Sequence, residues 1–547
     1  MLIQTSLTCC VPGSGFDLMS NAAGTPGLAR IYLRLSLVVV VLAACAQPSP
    51  TTTLQVDIDT GTLHGAMVDD VAAFKGIPYA APPVGELRWR PPQPAASWSG
   101  VRQATDYGPF CAQPESDVLG FELGVINEDC LILNVWAADL RPGKKLPVMV
   151  WIHGGGYSQG SGNVPRLNSP KLAKQGVVLV TFNYRLALFG FMAHPAILNS
   201  HPEDPQGNYG VLDTIAALEW VQRNIAAFGG DANNVTIFGE SAGAGLVNTL
   251  MIAPRAAGLF HRAISQSSSV GLALGQQVDR RMGFRPSGIK AAEAYVKNLQ
   301  LGETDDLAAK LRSLTTQELL AGLGVRDRFT PLVDGDVIPA QPASLYAAGE
   351  QHPVPYITGG VSWEASLGRA VGGGFSPQRA AMLFPAADKQ RLYPGLQGEQ
   401  LEDAIFGDML ALSSSWYVAD NISRTTQPVY RYYLSYLAQD RRARQPGVAH
   451  TDDIAFVMQT LDKEADLKTI TDRDWEVSQL ISAYWVQFAK TGNPNRQGLP
   501  EWPAFQQATH QTLEIGDEVR VHDNLNGDRM AYHVQRGVGM VRDAEAE

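Results

Sequence analysis

The stretch of sequence that decides the fold lies at residues 235–243 and reads Val-Thr-Ile-Phe-Gly-Glu-Ser-Ala-Gly. Its first four residues are β-branched or aromatic and predict a buried strand, and the apolar run at 244–250 can continue the segment as a helix. Between them stands the pattern G-x-S-x-G, which in a strand–turn–helix context lifts a serine off the sheet. Gly239 and Gly243 leave room where a Cβ would clash with neighbouring backbone. This context favours Ser241 as a nucleophile over the alternative, a serine in an ordinary Gly-rich turn.

A second Gly-rich segment follows another predicted strand. The apolar residues 146–152 run into the stretch 153–157, which reads His-Gly-Gly-Gly-Tyr. Consecutive glycines after a strand let backbone N–H groups approach a ligand, and such donors stabilise the oxyanion of an acyl-transfer intermediate. The alternatives are a structural loop and an anion- or phosphate-binding loop, but Gly-x-Gly-x-x-Gly and a P-loop lysine are both absent here. Two motifs in this order predict acyl-transfer chemistry.

Short aliphatic runs alternate with helical patterns along residues 55–547. The apolar spacing at 210–221 is helical. Runs that suit the buried strands of a mostly parallel sheet lie at 146–152, 177–183, 235–238 and 354–358. The alternation predicts an α/β fold. No Gly/Ser linker or repeat divides this part of the chain, so we expect one catalytic domain at 55–547 with long insertions.

The composition excludes several classes of function. The 547 residues include 54 acidic and 43 basic side chains, a net charge of −11 that gives no general attraction for nucleic acid. Hydrophobic residues make up 45% and charged residues 18%, which is typical of a globular protein rather than a disordered one. Outside the first 45 residues there is no ligand-spaced Cys/His cluster, so we expect neither a metal nor an organic cofactor.

The first 45 residues predict an export signal. Arg30 and Arg34 precede ten apolar residues at 35–44, which are too few for a spanning helix, since that needs ~20. The run ends Leu-Ala-Ala-Cys and resembles the lipobox of bacterial lipoproteins, in which the cysteine, here Cys45, is lipidated and becomes the new N-terminus. The alternative is ordinary cleavage after Ala46, because small residues also fit an A-x-A site. Met19 is an alternative start of translation, since the residues before Arg30 are long and mixed for a signal.

Residues 46–54, rich in proline and threonine, predict a short tether. Both cleavage patterns predict an exported protein. With a lipid on Cys45 it is a periplasmic or membrane-anchored lipoprotein, and without one it is freely secreted. The lipid is the only membrane association that the sequence predicts.

Two cysteines remain in the mature chain. Cys9, Cys10 and Cys45 lie in or before the signal, which leaves Cys111 and Cys130. An even pair in an exported chain is a candidate disulfide. The alternative is two buried thiols.

These motifs together closely resemble the type-B carboxylesterase/lipase family of α/β-hydrolases, which includes the cholinesterases and the bacterial para-nitrobenzyl esterases. The matching segments span nearly the whole mature chain and lie at 74–80, 128–131, 183–186, 228–231, 238–243, 331–335, 491–495 and 502–503. The resemblance implies an α/β-hydrolase fold with long insertions around an active-site gorge, and hydrolysis of small-molecule carboxylic esters.

The resemblance also implies the roles of several residues. Ser241 is the nucleophile, and the backbone N–H groups of Gly155, Gly156 and Ala242 form the oxyanion hole. It further supports the disulfide, because the family's first bridge ends at the cysteine of the Glu-Asp-Cys-Leu match at 128–131.

The base and the acid must follow the serine, because the triad order of this fold is Ser, then Asp or Glu, then His. His450 lies in the stretch 447–457, a glycine-bearing loop before a hydrophobic segment, which resembles the family's catalytic-histidine motif. The other histidines after Ser241 are interpreted as structural or exposed, namely His261, His352, His510, His522 and His533.

Glu364 is the candidate acid, because it follows the predicted strand at 354–358 by a short loop and aligns with the family's acid position. The family usually has Asn and Asp shortly before this glutamate, where this chain has Val-Ser-Trp at 361–363. The rivals are Asp334 and Asp336, which are interpreted more simply as part of a turn.

The sequence defines the substrate less well than it defines the catalytic residues. Between Cys111 and Cys130 there is no tryptophan and Phe121 is the only aromatic residue, which disfavours a choline ester. Where cholinesterases place acyl-pocket aromatics, this chain has Arg326 and Arg328. Guanidinium groups there would bind a carboxylate on an acidic acyl group, and the alternative is two solvated surface arginines.

Two other functions are compatible with the same fold. A non-catalytic adhesion protein would use only the surface, and an intact Ser241, Glu364 and His450 argue against it. An amide or carbamate hydrolase would use the same three residues.

Overall fold

The computed structural model describes residues 54–115, 123–141, 143–324 and 327–546. The predicted signal with Cys45, nearly all of the tether, Phe121 and Arg326 lie outside the described residues. The extents of the signal, tether and catalytic domain stay predictions.

The strands are short and lie throughout the chain. They are β1 (Gln55–Ile58), β2 (Gly61–His64), β3 (Ala66–Val68), β4 (Val71–Pro78), β5 (Val101–Gln103), β6 (Phe110–Cys111), β7 (Ile126–Asn127), β8 (Ile132–Ala137), β9 (Leu146–Ile152), β10 (Val178–Phe182), β11 (Gly230–Glu240), β12 (Arg262–Gln266), β13 (Gln276–Gln277), β14 (Leu332–Val333), β15 (Tyr356–Val361), β16 (Val429–Leu434), β17 (Thr512–Ile515) and β18 (Val519–His522).

Helices fill most of the connections between the strands. They are α1 (Pro170–Ala173), α2 (Ala187–Phe191), α3 (Pro195–Ser200), α4 (Tyr209–Asn224), α5 (Ala242–Ile252), α6 (Gly288–Asn298), α7 (Leu307–Ser313), α8 (Thr316–Ala321), α9 (Pro342–Ala348), α10 (Ala365–Val371), α11 (Pro377–Leu383), α12 (Ala386–Leu392), α13 (Gly398–Gly407), α14 (Ser413–Ile422), α15 (Asp453–Met458), α16 (Asp472–Thr491) and α17 (Gly527–Ala546).

Within the described residues, eleven strands form one large sheet in the order β18-β17-β16-β15-β12-β11-β9-β10-β8-β4-β3. The run from β17 to β10 is parallel, and the strands at both ends pair antiparallel. The predicted mostly parallel sheet of an α/β fold is therefore confirmed at its centre. Parallel strands place their carboxyl ends at one edge, and loops from that edge can converge on one site.

The central strands are buried on both faces, and their residues alternate between two cores. Along β9, Val148, Val150 and Ile152 belong to one hydrophobic cluster, whereas Met149 and Trp151 belong to the other. Successive side chains of a strand point to opposite faces, so a strand covered by helices on both sides must be apolar throughout. This is why the sequence of β9 is a continuous apolar run.

Two further features lie outside the sheet. Cys111 and Cys130 form the predicted disulfide, with their Cα atoms 5.0 Å apart. None of the helices in the described part of the chain is long and apolar enough to span a membrane.

Candidate active site

Ser241 lies in a sharp turn between β11 and α5. Its backbone has φ +58° and ψ −123°, a conformation that costs a non-glycine residue roughly 1–3 kcal/mol. A Cβ on Gly239 would lie 2.6 Å from the carbonyl oxygen of Ile152, and a Cβ on Gly243 would clash with the same oxygen. The two glycines therefore let the turn sit directly against β9, as the motif predicts.

The Gly-rich loop after β9 lies against this turn. A Cβ built on Gly154 would be 3.2 Å from the Cβ of Ser241. Within the described residues, the backbone N–H groups of Gly155, Gly156 and Ala242 donate to no protein acceptor. The loop brings together three free donors beside the serine, which are the three predicted for the oxyanion hole.

A buried side chain next to the disulfide forms hydrogen bonds with the end of the Gly-rich loop. The side chain of Gln113, two residues after Cys111, accepts a hydrogen bond from the N–H of Gly160 (2.9 Å) and donates one to its carbonyl (3.0 Å). Gln113 is fully buried. The disulfide segment therefore supports the loop that carries the free donors.

The structure brings Ser241, His450 and Glu364 together. Nε2 of His450 is 2.9 Å from Oγ of Ser241, and Nδ1 of the same ring is 2.6 Å from Oε2 of Glu364. The other carboxylate oxygen of Glu364 accepts the N–H of Val361 at 2.9 Å. The side chains of Glu364 and His450 are both buried. Nδ1 of the ring is thus held by a buried carboxyl, and Nε2 faces the serine hydroxyl.

The loops that carry the acid and the histidine are joined to each other. Trp363 donates its N–H to the carbonyl of Val448 (2.8 Å), and Val448 donates its own to Oγ of Ser362 (2.9 Å). A third bond runs from the N–H of His450 to Oγ of Ser366 (2.8 Å). Residues 361–363, where the sequence departs from the family's pattern, therefore supply part of the support for the histidine loop.

The rival acids have other partners. Asp334 accepts the N–H groups of Asp336 and Ile338, as expected of a turn, and Asp336 pairs with Arg255 at 2.8 Å. The remaining histidines after the serine also bond elsewhere: His261 to Val235, His352 to Ala253, His510 to Asp420, His522 to Glu514 and His533 to Tyr393.

Two further buried carboxyls lie near His450, those of Glu240 and Asp453. The sequence does not predict them. Oε1 of Glu240 lies 3.2 Å from Nε2 of His450. Asp453 accepts hydrogen bonds from Gln266 (2.8 Å) and Tyr432 (3.2 Å). The place of Glu240 inside the serine motif was the only sequence signal for it. Asp453 lies three residues after the histidine at the start of α15, where a carboxylate is a common helix-start residue without any role in a site.

Burial decides which of these carboxyls is charged. It raises the pKa of Glu240 to about 8 and that of Asp453 to about 6. Glu240 is therefore protonated and neutral at neutral pH. Burial lowers the pKa of His450, but the neighbouring carboxyls outweigh this and the net direction is upward.

His153, the first residue of the Gly-rich loop, stays neutral. Burial lowers its pKa to about 4, and its ring stacks on Tyr184 with 4.4 Å between centroids. Because this imidazole is neutral, it adds no positive charge beside the backbone N–H groups of the loop.

Of the two candidate acyl-side arginines, only Arg328 is described. Its side chain is exposed and donates to the carbonyl of Asp327 at 3.1 Å, and the next residue, Phe329, is buried against Tyr295.

Among the described residues, the one cluster with ligand atoms close enough for a metal is His201, Glu203 and Asp204, at the surface. Arg90 pairs with both carboxylates of that cluster. Nothing therefore assigns a metal to it.

The chain is similar to known proteins over most of its length. It matches the model of the Carboxylesterase family over residues 52–376 and 387–533. It is 34% identical to the para-nitrobenzyl esterase of Bacillus subtilis (strain 168), covering 86% of this chain and 96% of the relative. It is also 34% identical to the fumonisin B1 esterase of Sphingopyxis macrogoltabida, covering 83% of this chain and 85% of the relative.

Solved structures agree with the relatives. A PNB esterase superposes with a TM-score of 0.76 at 31% identity, over 88% of this chain and 99% of the other. A carboxylesterase from Geobacillus stearothermophilus superposes with a TM-score of 0.75 at 31% identity, over 87% and 99%. The chain belongs to the carboxylesterase family and is a carboxylic-ester hydrolase with the α/β-hydrolase fold.

Proposed function

We propose that Ser241, His450 and Glu364 hydrolyse carboxylic esters through a covalent acyl-enzyme. The observation that carries the proposal is one continuous chain of contacts, from Ser241 Oγ to His450 Nε2 at 2.9 Å and from His450 Nδ1 to Glu364 Oε2 at 2.6 Å. Beside it lie the unbonded N–H groups of Gly155, Gly156 and Ala242.

In the first half of the reaction, Oγ of Ser241 attacks the ester carbonyl carbon and its proton passes to Nε2 of His450. The carbonyl oxygen becomes an oxyanion and accepts hydrogen bonds from the three free N–H groups. When the intermediate collapses, the bond to the alcohol oxygen breaks and His450 returns the proton to the leaving alcohol. The acyl group is now an ester of Ser241.

In the second half, a water molecule replaces the alcohol. His450 takes a proton from the water as its oxygen attacks the acyl carbon, and the bond to Oγ breaks as the same proton returns to the serine. The products are the free acid and the regenerated enzyme.

Glu364 acts through the histidine. A carboxylate at Nδ1 keeps the proton on that nitrogen, so that Nε2 is free to accept the serine proton. It also stabilises the imidazolium that forms in each half of the reaction.

The test uses a neutral aryl ester such as 4-nitrophenyl butyrate. Ser241→Ala and His450→Gln are each expected to lower kcat/KM by about 10³-fold or more while the protein stays folded, because neither side chain belongs to a hydrophobic cluster. Ser313→Ala, an exposed serine on α7, is the matched control and should keep wild-type activity. Near-wild-type turnover by pure Ser241→Ala would overturn the assignment.

A covalent readout is independent of turnover. An organophosphonate that mimics the tetrahedral intermediate should add its mass to the peptide that contains Ser241 and to no other serine. His450→Gln should slow this labelling, because the nucleophile then has no base.

We propose a preference for esters of acidic acyl groups as the finer substrate assignment. The net charge of −11 does not favour anions in general, so a preference for them requires a local cation. The sequence offers Arg326 and Arg328 for this role, and replacing each with Gln tests it on acidic against neutral esters. The export signal further supports an enzyme that acts outside the cytoplasm, anchored through a lipid on Cys45.

A further inference from the structure

Trp363 and Ala449, the residues directly before the acid and the base, are paired with each other. They form a parallel β-bridge, and the N–H of Trp363 donates to the carbonyl of Val448 at 2.8 Å. A Cβ on Gly447 would lie 3.1 Å from Cβ of Trp363, so a glycine there lets the two segments approach closely. The backbone of Trp363 therefore links the position of Glu364 to that of the histidine loop.

The indole of Trp363 is held by a carboxylate from another element. Its Nε1 donates to Oδ2 of Asp403, on α13, at 2.7 Å. The other oxygen of this carboxylate, Oδ1, accepts a hydrogen bond from Nε of Arg369 at 2.8 Å. Arg369 lies on α10, the helix that begins directly after Glu364. Asp403 thus bridges the residue before the acid and the helix after it.

This carboxylate is largely shielded from solvent. The side chain of Asp403 is 16% exposed and that of Arg369 is 22% exposed. Hydrogen bonds to a carboxylate are stronger than those between neutral groups, and partial burial reduces competition from water. The bond from Nε1 therefore fixes the orientation of the indole more firmly than a bond at the open surface would.

The helix that carries Asp403 also lies against the acid itself. Gly407 is one turn further along α13, and a Cβ there would be 3.5 Å from Cβ of Glu364. The neighbouring residue Phe406 packs against α10, where a Cβ on Gly368 would be 2.5 Å from its ring. Residues four positions apart share one face of a helix, so Asp403 and Gly407 both face the acid loop.

We propose that Asp403 is a positioning residue, which holds the indole of Trp363 and thereby keeps Glu364 on Nδ1 of His450. This inference rests on the ester hydrolysis proposed at Ser241. A shift of Trp363 moves Glu364, its neighbour in the chain, by the full amount. It moves the histidine loop, which is only hydrogen-bonded to it, by less. The 2.6 Å contact between Oε2 and Nδ1 then lengthens.

The first experiment measures kcat and KM of Asp403→Ala for 4-nitrophenyl butyrate. We expect kcat to fall roughly 10- to 100-fold, because a displacement of about 1 Å in a catalytic group costs up to about 10²-fold in rate. His450 serves both halves of the reaction, so acylation and deacylation slow together and KM stays within about twofold. Asp403→Asn keeps an oxygen that accepts the indole N–H and should retain a higher kcat than Asp403→Ala.

Glu399→Gln is the matched control. Glu399 lies on the same helix and is 3.7 Å from Nη1 of the same Arg369, but its side chain is 83% exposed. This variant should keep the wild-type kcat, because it removes an acidic partner of the arginine and leaves the indole bond in place.

The pH profile separates positioning from a loss of stability. Burial lowers the pKa of His450, and the carboxyls of Glu240, Glu364 and Asp453 raise it by more. A longer contact with Glu364 weakens one of these effects, so the pKa of His450 falls. The acid limb of kcat/KM in Asp403→Ala should therefore move to lower pH, because the imidazole must be neutral to accept the serine proton. A merely destabilised enzyme loses folded protein without moving this limb.

A double-mutant cycle tests whether Asp403 acts through the indole. Trp363→Phe keeps an aromatic ring but removes the Nε1 donor, and it should lower kcat about as much as Asp403→Ala. Adding Asp403→Ala to Trp363→Phe should then lower kcat by less than about threefold. If the two effects multiply instead, Asp403 acts apart from Trp363 and the proposal is wrong.

The two proposals fail in different ways. If Ser241→Ala keeps its turnover, ester hydrolysis at Ser241 is wrong. If that turnover is lost but Asp403→Ala has the wild-type kcat and acid limb, or loses activity only in proportion to folded protein, the positioning role is wrong. Should Asp403→Ala not fold, Asp403→Asn takes its place in the pH profile and in the cycle with Trp363→Phe.

Discussion

Oε1 of Glu240 lies 3.2 Å from Nε2 of His450, the ring nitrogen that also contacts the hydroxyl of Ser241. The imidazole therefore has a carboxyl on each side, since Glu364 is bonded to Nδ1. Burial raises the pKa of Glu240 to about 8, so below that pH this carboxyl is protonated and neutral.

The two carboxyls beside His450 predict different behaviour of two matched variants, Glu364→Gln and Glu240→Gln. The imidazole must be neutral to accept the serine proton, so kcat/KM rises with pH through the pKa of His450. Glu364→Gln removes the carboxyl that both faces and hydrogen-bonds the imidazole, one of those that raise this pKa, and should shift the acid limb to lower pH, with a plateau lowered roughly 10²- to 10⁴-fold.

Below about pH 8 Glu240 is protonated, so Glu240→Gln exchanges one neutral group for another and should shift the acid limb less than Glu364→Gln does. The measurement is kcat/KM for a neutral aryl ester from pH 5 to 9. An acid limb displaced equally in both variants would mean that Glu240 is ionised beside the histidine.

The close backbone contact between the serine turn and β9 predicts the effect of adding one methyl group at Gly243. Gly243→Ala would drive a Cβ into the carbonyl oxygen of Ile152, so we expect loss of soluble protein or of all activity. Gly539→Ala on α17 is the matched control, because a Cβ there meets nothing within 4 Å. It should stabilise the protein by up to about 1 kcal/mol, since alanine favours a helix. A soluble, active Gly243→Ala would show that β9 is not held against the turn.

Removal of the disulfide should cost stability. Replacing Cys111 and Cys130 with alanine opens a loop of 19 residues and is expected to lower the free energy of unfolding by about 2–4 kcal/mol. Because Gln113 links this segment to Gly160, activity should also fall before unfolding in urea. Two thiols that react with iodoacetamide in denatured, unreduced protein would contradict the bridge.

The mature N-terminus is predicted to be Cys45 carrying lipid. Intact-mass measurement of the protein isolated from membranes should give a chain that starts at this residue with a diacylglyceryl modification, and Cys45→Ser should abolish the modification. A chain that starts at Gln47 without lipid would instead establish ordinary secretion.

The sequence predicts those strands and motifs that are determined by neighbouring residues alone. Strand β9 has the predicted bounds, because a continuous apolar run between polar residues has one interpretation. The prediction of 354–358 missed the end of β15, which continues to Val361. The sequence places Gly359 and Gly360 in the short loop before Glu364, but their backbone pairs with Tyr432 and Tyr433 of β16. A Cβ on Gly360 would lie 2.6 Å from Oε1 of Glu364, so this glycine makes room for the acid.

What the sequence could not predict depends on distant parts of the chain. Glu240 acquires its raised pKa from burial, and its contact with His450 joins positions 210 apart. The bonds from Ser362 and Trp363 to the histidine loop replace an expected local motif with a long-range one.

Those bonds join the loops of the acid and the base directly, across a long intervening stretch of chain. Glu364 and His450 are 86 positions apart, yet their loops are fastened at Ser362, Trp363 and Ser366. The intervening helices α11 to α13 have a small hydrophobic cluster of their own, and the match to the family model is interrupted at 377–386, which spans α11. Length changes confined to α11 therefore leave these bonds in place, whereas α13 belongs to the support of the acid, because Trp363 Nε1 donates to Asp403 at 2.7 Å.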